Sequence, residues 1–383
     1  SLTSLYLYFI VLGKREILKE TDMKTNRYIL IIVLIAGTII SKAQSLDDYL
    51  IEAAENNPGL KASYLEFEAA LQKSAQVKAI PDLALSFGYF VSPVETRVGP
   101  QRAKFSLVQM FPWFGTNGTK VDAMELSAQA KYQEFLDRKN ELFYLLKKAY
   151  YPILELKEHI KLQEENLEIL NTYKRLSTTS FSNGKGAMVD VIRVDIMIDN
   201  ANTEIQLLED KLKPLQVTFN RLLNRPDSMQ VVIAQSASAV ESFNEISVDS
   251  LIFNNPGLQA IELNMQAASA LEETANKQGL PTFGVGLDYV IVGERTDLDV
   301  PDNGKNVFMP MITMSLPLFR KKHNASVKEA QYTQSALAQK KLDLTNNLVS
   351  AYQNEVYNIQ RSLELLELYD VQIQKTHQAI DLL

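Results

Sequence analysis

The pentapeptide NNPGL occupies residues 56–60, and the same five residues return at 254–258. Asn57 and Asn255 suit the position just before a helix, where a short side-chain oxygen takes a backbone N–H of the first turn. Pro58 and Pro256 suit the first helical position, because the N–H that proline lacks has no partner there. Each pentapeptide therefore reads as a helix start. Recurring after about two hundred residues, the pair asks whether the whole chain is duplicated.

The flanking sequence answers that. From Leu60 to Ala79, good helix formers carry apolar residues at Leu60, Tyr64, Phe67, Leu71 and Ala75. Pro81 ends that run and the period changes to two. Leu83, Leu85, Phe87, Tyr89 and Val91 alternate with smaller or polar neighbours, which predicts a strand. Ser92-Pro93 and Gly99-Pro100 mark a loop, and a second alternating run follows to Phe111, closed by Pro112-Trp113-Phe114-Gly115. From Thr119 to Thr178 there is one proline, Pro152, and no glycine. A helix of that length reaches about 90 Å, which fits a coiled coil or long bundle rather than a compact domain. Pro152 is expected to kink or break it. The segment FSNGKGAMVDV at 181–191 turns the chain, and helix resumes from Met188 to Leu223 as the second arm of a helical hairpin.

The same order then returns. A helix runs from the second NNPGL to about Lys277, and Gly279-Leu280-Pro281 ends it. Phe283, Val285, Leu287, Tyr289 and Ile291 alternate, the polar loop GERTDLDVPDNGKN follows, and Val307 to Leu318 forms a second strand ending in Pro317-Leu318-Phe319. Helix is expected again from Asn324 to Leu383. The organisation is one repeat over 44–224, with strands within 82–111 and a helical hairpin over 117–224. A linker spans 225–249, and a second repeat covers 250–383, with strands within 282–318. The second repeat stops before any counterpart of the 181–186 turn, so its return helix is expected to be missing.

The N-terminal stretch carries an address. From Met23, a short basic region (Lys24, Arg27), an apolar run from Ile29 to Ile40 and the small-x-small Ser41-Lys42-Ala43 make residues 23–43 a secretory signal peptide. That run is too short to span a bilayer of about 30 Å as a helix. Residues 1–22 then read as a non-native upstream extension.

Composition excludes several chemistries. The chain has no cysteine, which removes disulfides, thiol catalysis and Cys-ligated zinc. Its three histidines, His159, His323 and His377, are too scattered for a His-based metal site or triad. A net charge of −7 gives no basic surface for nucleic acid. No phosphate loop or hydrolase motif is present, and pairs such as Glu164-Glu165 read as solvated helix faces, so no enzyme, cofactor or metal is expected. Met309, Met311 and Met314 admit a soft-metal relay, though packing against lumen or lipid explains them as well. Pro310 among them cannot donate to a ladder and marks a bulge or a strand start. Tyr89, Trp113 and Tyr289 are placed at strand ends, where aromatic belts sit.

Each predicted strand is about ten residues long, enough to cross a membrane when tilted. One face is apolar and aromatic (Leu83, Leu85, Phe87, Tyr89; Val285, Leu287, Tyr289) and the other small or polar. Lipid on one side and a wet lumen on the other would give this pattern; so would a soluble sheet packed on helices. Four strands cannot close a barrel alone and open edges are not tolerated in lipid, whereas three chains would supply twelve.

Taken together, these landmarks resemble the TolC family of outer-membrane efflux proteins. They are Asn57-Pro58-x-Leu60, Pro81-x-Leu83, Phe114-Gly115, and Phe181-x-x-Gly184 followed by Asp190-Val191, then Asn255-Pro256-x-Leu258, Pro281-x-Phe283 and Pro317-Leu318-Phe319. The resemblance runs from about Ser45 to the end. It implies a mainly α-helical homotrimer with four membrane strands per chain in a shared twelve-stranded barrel, above a periplasmic coiled-coil tunnel. The function implied is passive: an exit duct through the outer membrane of a diderm bacterium, serving tripartite efflux or type I secretion. Its implied partners are outer-membrane lipid, its own copies, a periplasmic adaptor and an inner-membrane pump. The turn Phe181, Ser182, Asn183, Gly184, Lys185 and Gly186 would face the adaptor. The family often has an apolar–Gly–apolar triplet there, where this chain has Asn183-Gly184-Lys185. Gly184 or Gly186 also suits a positive φ in a tight helix-to-helix turn. The rival readings are a periplasmic adaptor, which calls for a single hairpin and a compact β domain, and a soluble coiled-coil scaffold, which has no use for such strands.

Overall fold

The computed structural model describes residues 45–233 and 243–382. The 1–22 extension, the 23–43 signal peptide and part of the linker lie outside the described residues. In chain order the elements are α1 (Leu46–Asn56), α2 (Pro58–Lys78), β1 (Ala84–Thr96), β2 (Gly99–Phe111), α3 (Thr116–Ser182), α4 (Met188–Leu222), α5 (Val248–Phe253), α6 (Pro256–Gln278), β3 (Thr282–Val292), β4 (Val307–Ser315) and α7 (Lys321–Asp381).

Both pentapeptides start helices in the same way. The Asn57 side chain accepts from the Leu60 N–H at 3.0 Å, and Asn255 from the Leu258 N–H at 2.9 Å. Pro58 and Pro256 sit in the first turn, and both asparagines hold extended backbone angles. Asn57 does more: its Nδ2 donates to the Leu222 carbonyl at 2.9 Å, tying the start of α2 to the end of α4.

The four strands form one antiparallel sheet in the order β1-β2-β3-β4. Each strand is continued by one helix: α2 enters β1, β2 leaves into α3, α6 enters β3, and β4 leaves into α7. The helices keep the lateral order of the strands, α2 against α3, α3 against α6, α6 against α7. The chain is thus a wall of four strands extended by four helices. At 1.5 Å per residue, the 67 residues of α3 reach about 100 Å and the 61 of α7 about 90 Å.

The core lies midway down this wall, where α1 and the end of α4 meet α3. Tyr49, Leu146, Tyr150, Ile153, Phe219 and Leu223 are buried together there, with Val231 from the linker. Tyr49 and Phe219 meet edge to face, with centroids 5.0 Å apart. The Arg225 guanidinium lies over both rings, 5.1 and 5.7 Å from their centroids, and its Nε donates to Asn220 Oδ1 at 2.7 Å. A cation over two desolvated rings fixes the chain where it leaves α4.

Two expectations change. Pro152 does not break its helix: α3 runs unbroken from Thr116 to Ser182. The tight packing of Tyr150, Ile153 and Leu154 on both sides of it offsets the missing hydrogen bond. Leu83 precedes β1, which begins at Ala84. Val231 of the linker joins the core, and Val248–Phe253, straddling the linker's end, form the short helix α5.

Candidate functional site: strand faces and tip

Register decides which strand residues share a face. Leu85, Leu107, Leu287 and Pro310 stand in one row across the sheet, and Phe87, Phe105, Tyr289 and Phe308 in the next of that face. Further rows add Gln109, Val285 and Ile312, then Phe111, Phe283 and Met314. Directly opposed residues point the same way and positions two apart repeat the face. One face is therefore apolar and aromatic almost throughout, with Gln109 its polar exception. It is also open: Leu85, Phe87 and Tyr89 are each more than 60% exposed, and Ile312 is 84% exposed.

The opposite face carries Ala84, Ser86, Gly88, Lys104, Ser106, Val108, Gly284, Gly286 and Asp288. Asp288 is fully buried, ion-paired to Lys104 and accepting from the Ser106 hydroxyl. A carboxylate so deep in a single sheet is stable because both partners are supplied by the neighbouring strand. The two faces thus differ as lipid and water differ. Among the described residues both outer edges, on β1 and β4, are unpaired. Among the described residues no helix is long and apolar enough to cross a membrane.

The sequence profile described as outer membrane efflux protein matches residues 50–225 and 248–382. The chain belongs to the outer membrane efflux protein family. Solved structures of similar fold include a membrane protein from Pseudomonas aeruginosa (TM-score 0.65, 15% identity, covering 89% of this chain and 83% of that one). Others are the outer membrane protein VceC from Vibrio cholerae (0.63, 17%, 88% and 82%) and the open state of the MtrE outer membrane channel from Neisseria gonorrhoeae (0.63, 16%, 88% and 77%). No curated protein matches the sequence. This efflux protein resides in the outer membrane and serves as an exit duct there, and its family and fold are those of channels. The adaptor and scaffold readings are not favoured.

At the far end of the efflux protein, α3 and α4 are joined by a turn with every residue of 181–186 exposed. Gly184 adopts φ +70°. Its N–H donates to Phe181 O at 2.9 Å, and the Lys185 N–H reaches back to Ser180 O at 2.9 Å. That pair of bonds is the Schellman helix ending, in which the left-handed residue is nearly always glycine. The turn's glycine is thus accounted for by backbone geometry. Lys174 and Asp195 pair across the two arms at 2.6 Å.

The methionines do not form one cluster. Register puts Met309 and Met311 on the polar face and Met314 on the apolar face, so a three-methionine relay is ruled out by the pleat. Among the described residues no group of three His, Asp or Glu side chains is placed to hold a metal. Pro310 lies inside β4, opposite Leu287 and with no shift of register, so it marks neither a bulge nor a strand start. Tyr89 and Tyr289 sit inside their strands, and only Trp113 lies beyond one. Sequence reading missed the four-ring row, because it appears only when β1, β2, β3 and β4 are aligned. It also missed how the 293–306 loop is held. There Gly293 N–H donates to Pro100 O and Gly304 N–H to Val98 O, each at 2.7 Å, while Asn306 donates to the Tyr289 hydroxyl at 2.8 Å. The glycines and asparagines of that loop were the available signal.

Proposed function

We propose that three copies of this chain close a twelve-stranded barrel in the outer membrane, β1 of one copy pairing with β4 of the next. The four helices below each sheet then continue the barrel as a periplasmic tunnel. Cargo passes without a catalytic step, driven by an inner-membrane pump that reaches the duct through a periplasmic adaptor. The turn Phe181–Gly186 is the surface offered to that adaptor. Residues 23–43 supply the export address.

The observation that carries this reading is the sheet itself: one face apolar, the other polar, and both edges open. In lipid an unpaired edge leaves backbone groups without partners, each worth several kcal/mol, so the edges must meet another chain. Twelve strands fall within the range of known barrels, about 8 to 26. Leu85, Phe87, Tyr89, Val285, Leu287 and Tyr289 then face lipid, with Leu83 continuing their alternation just below β1.

The experiment pairs membrane fractionation with unboiled electrophoresis. Outer-membrane protein migrating as a trimer is expected. Phe105→Arg, on the apolar face, should lower trimer yield, since arginine facing lipid at mid-depth costs about 2–4 kcal/mol. Ser86→Arg, at an exposed position of the polar face on β1, should leave it intact. A soluble periplasmic monomer, or equal tolerance of both substitutions, would overturn the reading.

A further inference from the structure

Where β2 gives way to α3, the rings of Phe111, Trp113, Phe114 and Phe283 line an open recess of about 570 Å³, floored by Asn117 and Gly118. Phe111 and Phe283 are opposed residues of the apolar face, so the recess opens on the side turned to lipid, at the helical end of the strands. Trp113 and Phe283 lie 5.6 Å apart. Phe114 is 82% exposed, a large apolar ring that no described residue of this chain covers.

Positive charge borders these rings. Gly115 takes φ +76° before the first turn of α3, and no side chain caps that turn. The Lys277 ammonium stands over Gly115, 3.1 Å from where a β-carbon would lie. Its partner is the exposed Glu273, at 2.8 Å, which leaves ammonium hydrogens free. His323 packs beside Gly279, bringing the basic run Arg320-Lys321-Lys322 to the same end of the sheet. Apolar rings at lipid depth, next to the Lys277 cation and the positive end of α3 at the water boundary, match a molecule with a hydrocarbon chain and an anionic head.

We propose that this recess holds one anionic phospholipid of the periplasmic leaflet, an acyl chain among the four rings and the phosphate at Lys277 and the first turn of α3. The volume is within the range of about 300–1,000 Å³ for small-molecule sites. The proposal rests on the membrane reading above and adds a specific ligand to it.

Trp113 is the only tryptophan, so intrinsic fluorescence reports on this recess alone. The full chain is reconstituted in phosphatidylcholine vesicles containing the same fraction of brominated phosphatidylcholine or brominated phosphatidylglycerol. Severalfold stronger quenching by the anionic lipid is expected. Lys277→Gln should equalise the two. Gly118→Leu, at a position where an added β-carbon meets open space, should fill the recess and remove the preference without touching the cations. Equal quenching in the unmodified protein overturns the proposal, as does a preference that survives both variants. Quenching by neither lipid in protein that has inserted means a neighbouring copy covers the rings, and also overturns it. Protease digestion separates these results from failure to insert, which would sink the barrel reading as well.

Discussion

The two repeats start alike and are held differently. Each begins with an Asn cap and a Pro, passes through two strands and leaves in a long helix. Yet α3 of the first repeat buries twelve side chains, while α7 of the second buries two, Ala330 and Val356. α3 lies between α2 and α6 and is backed by α4, whereas α7 has α6 on one flank and touches α5 only lightly. From Ser362 onward every described side chain of α7 except Leu363 is exposed, Tyr369 and Ile373 among them. Local sequence is enough to specify a helix of this length, but not to give it a partner. The first repeat finds partners within the chain; the second presents an apolar flank that the proposed trimer would cover.

The largest test of that difference is truncation in each repeat. Phe219→Ala removes the ring that Tyr49, Tyr150 and Arg225 pack on, and should destabilise by about 3–5 kcal/mol. Val356→Ala should cost only about 1.5 kcal/mol, two methyl groups at about 0.8 each. Denaturant titration of the purified protein compares them. Near-equal losses would mean that α7 is as well supported as α3.

Arg225→Ala comes next. It takes the cation off two rings, breaks the 3.5 Å contact with Glu52 and strands the buried Asn220 oxygen. About 2–3 kcal/mol is expected, most of it from the orphaned amide oxygen. A loss under 0.5 kcal/mol in the same titration would show that the amide finds another donor.

Much of this was legible beforehand, and the reasons are local. Helix starts are written in two residues, Asn then Pro, and strands in a period of two, so Asn57, Asn255 and the alternation around Phe87 and Tyr289 could be read directly. What needed the structure depends on pairing. Sequence cannot show that Phe87, Phe105, Tyr289 and Phe308 form one row, because the row depends on pairing Phe105 with Tyr289, far apart along the chain. Nor could it place Asp288 against Lys104, or separate Met314 from Met309 and Met311. Pro152 misled because its penalty is local while the packing that offsets it comes from elsewhere in the chain.

The caps give a finer comparison. Asn57→Ala and Asn255→Ala each remove one N-cap, worth about 1 kcal/mol. Asn57 also holds the Leu222 carbonyl, so its loss should exceed that of Asn255 by roughly another 0.5–1 kcal/mol. Hydrogen exchange at the first turns of α2 and α6 should rank them in that order. Equal effects would reduce the Asn57–Leu222 bond to an incidental contact.

The smallest effect concerns what holds α7 to α6. Lys341 donates to Glu262 at 2.7 Å, and Gln331 and Gln334 donate to Glu272 at 2.8 Å. The Lys341 bond lowers the Glu262 carboxyl below its usual value, and the Gln331 bond, then Gln334, lower that of Glu272. A carboxyl whose folded pKa is depressed stabilises the fold above its unfolded value of about 4.3, and that stability is lost as pH falls through the folded pKa. Acidification below about pH 4.3 should therefore lower hydrogen-exchange protection, measured against the intrinsic rate at each pH, along the α6–α7 seam before the α3 core responds. Both carboxylates are partly exposed, so solvent screens them and the shift should be modest. Glu262→Gln combined with Glu272→Gln should flatten the pH dependence of exchange in α7 while leaving that around Tyr150 unchanged. If the double variant keeps the full acid response, these contacts do not couple the second repeat to pH, and α7 is held by its apolar contacts with α6 alone.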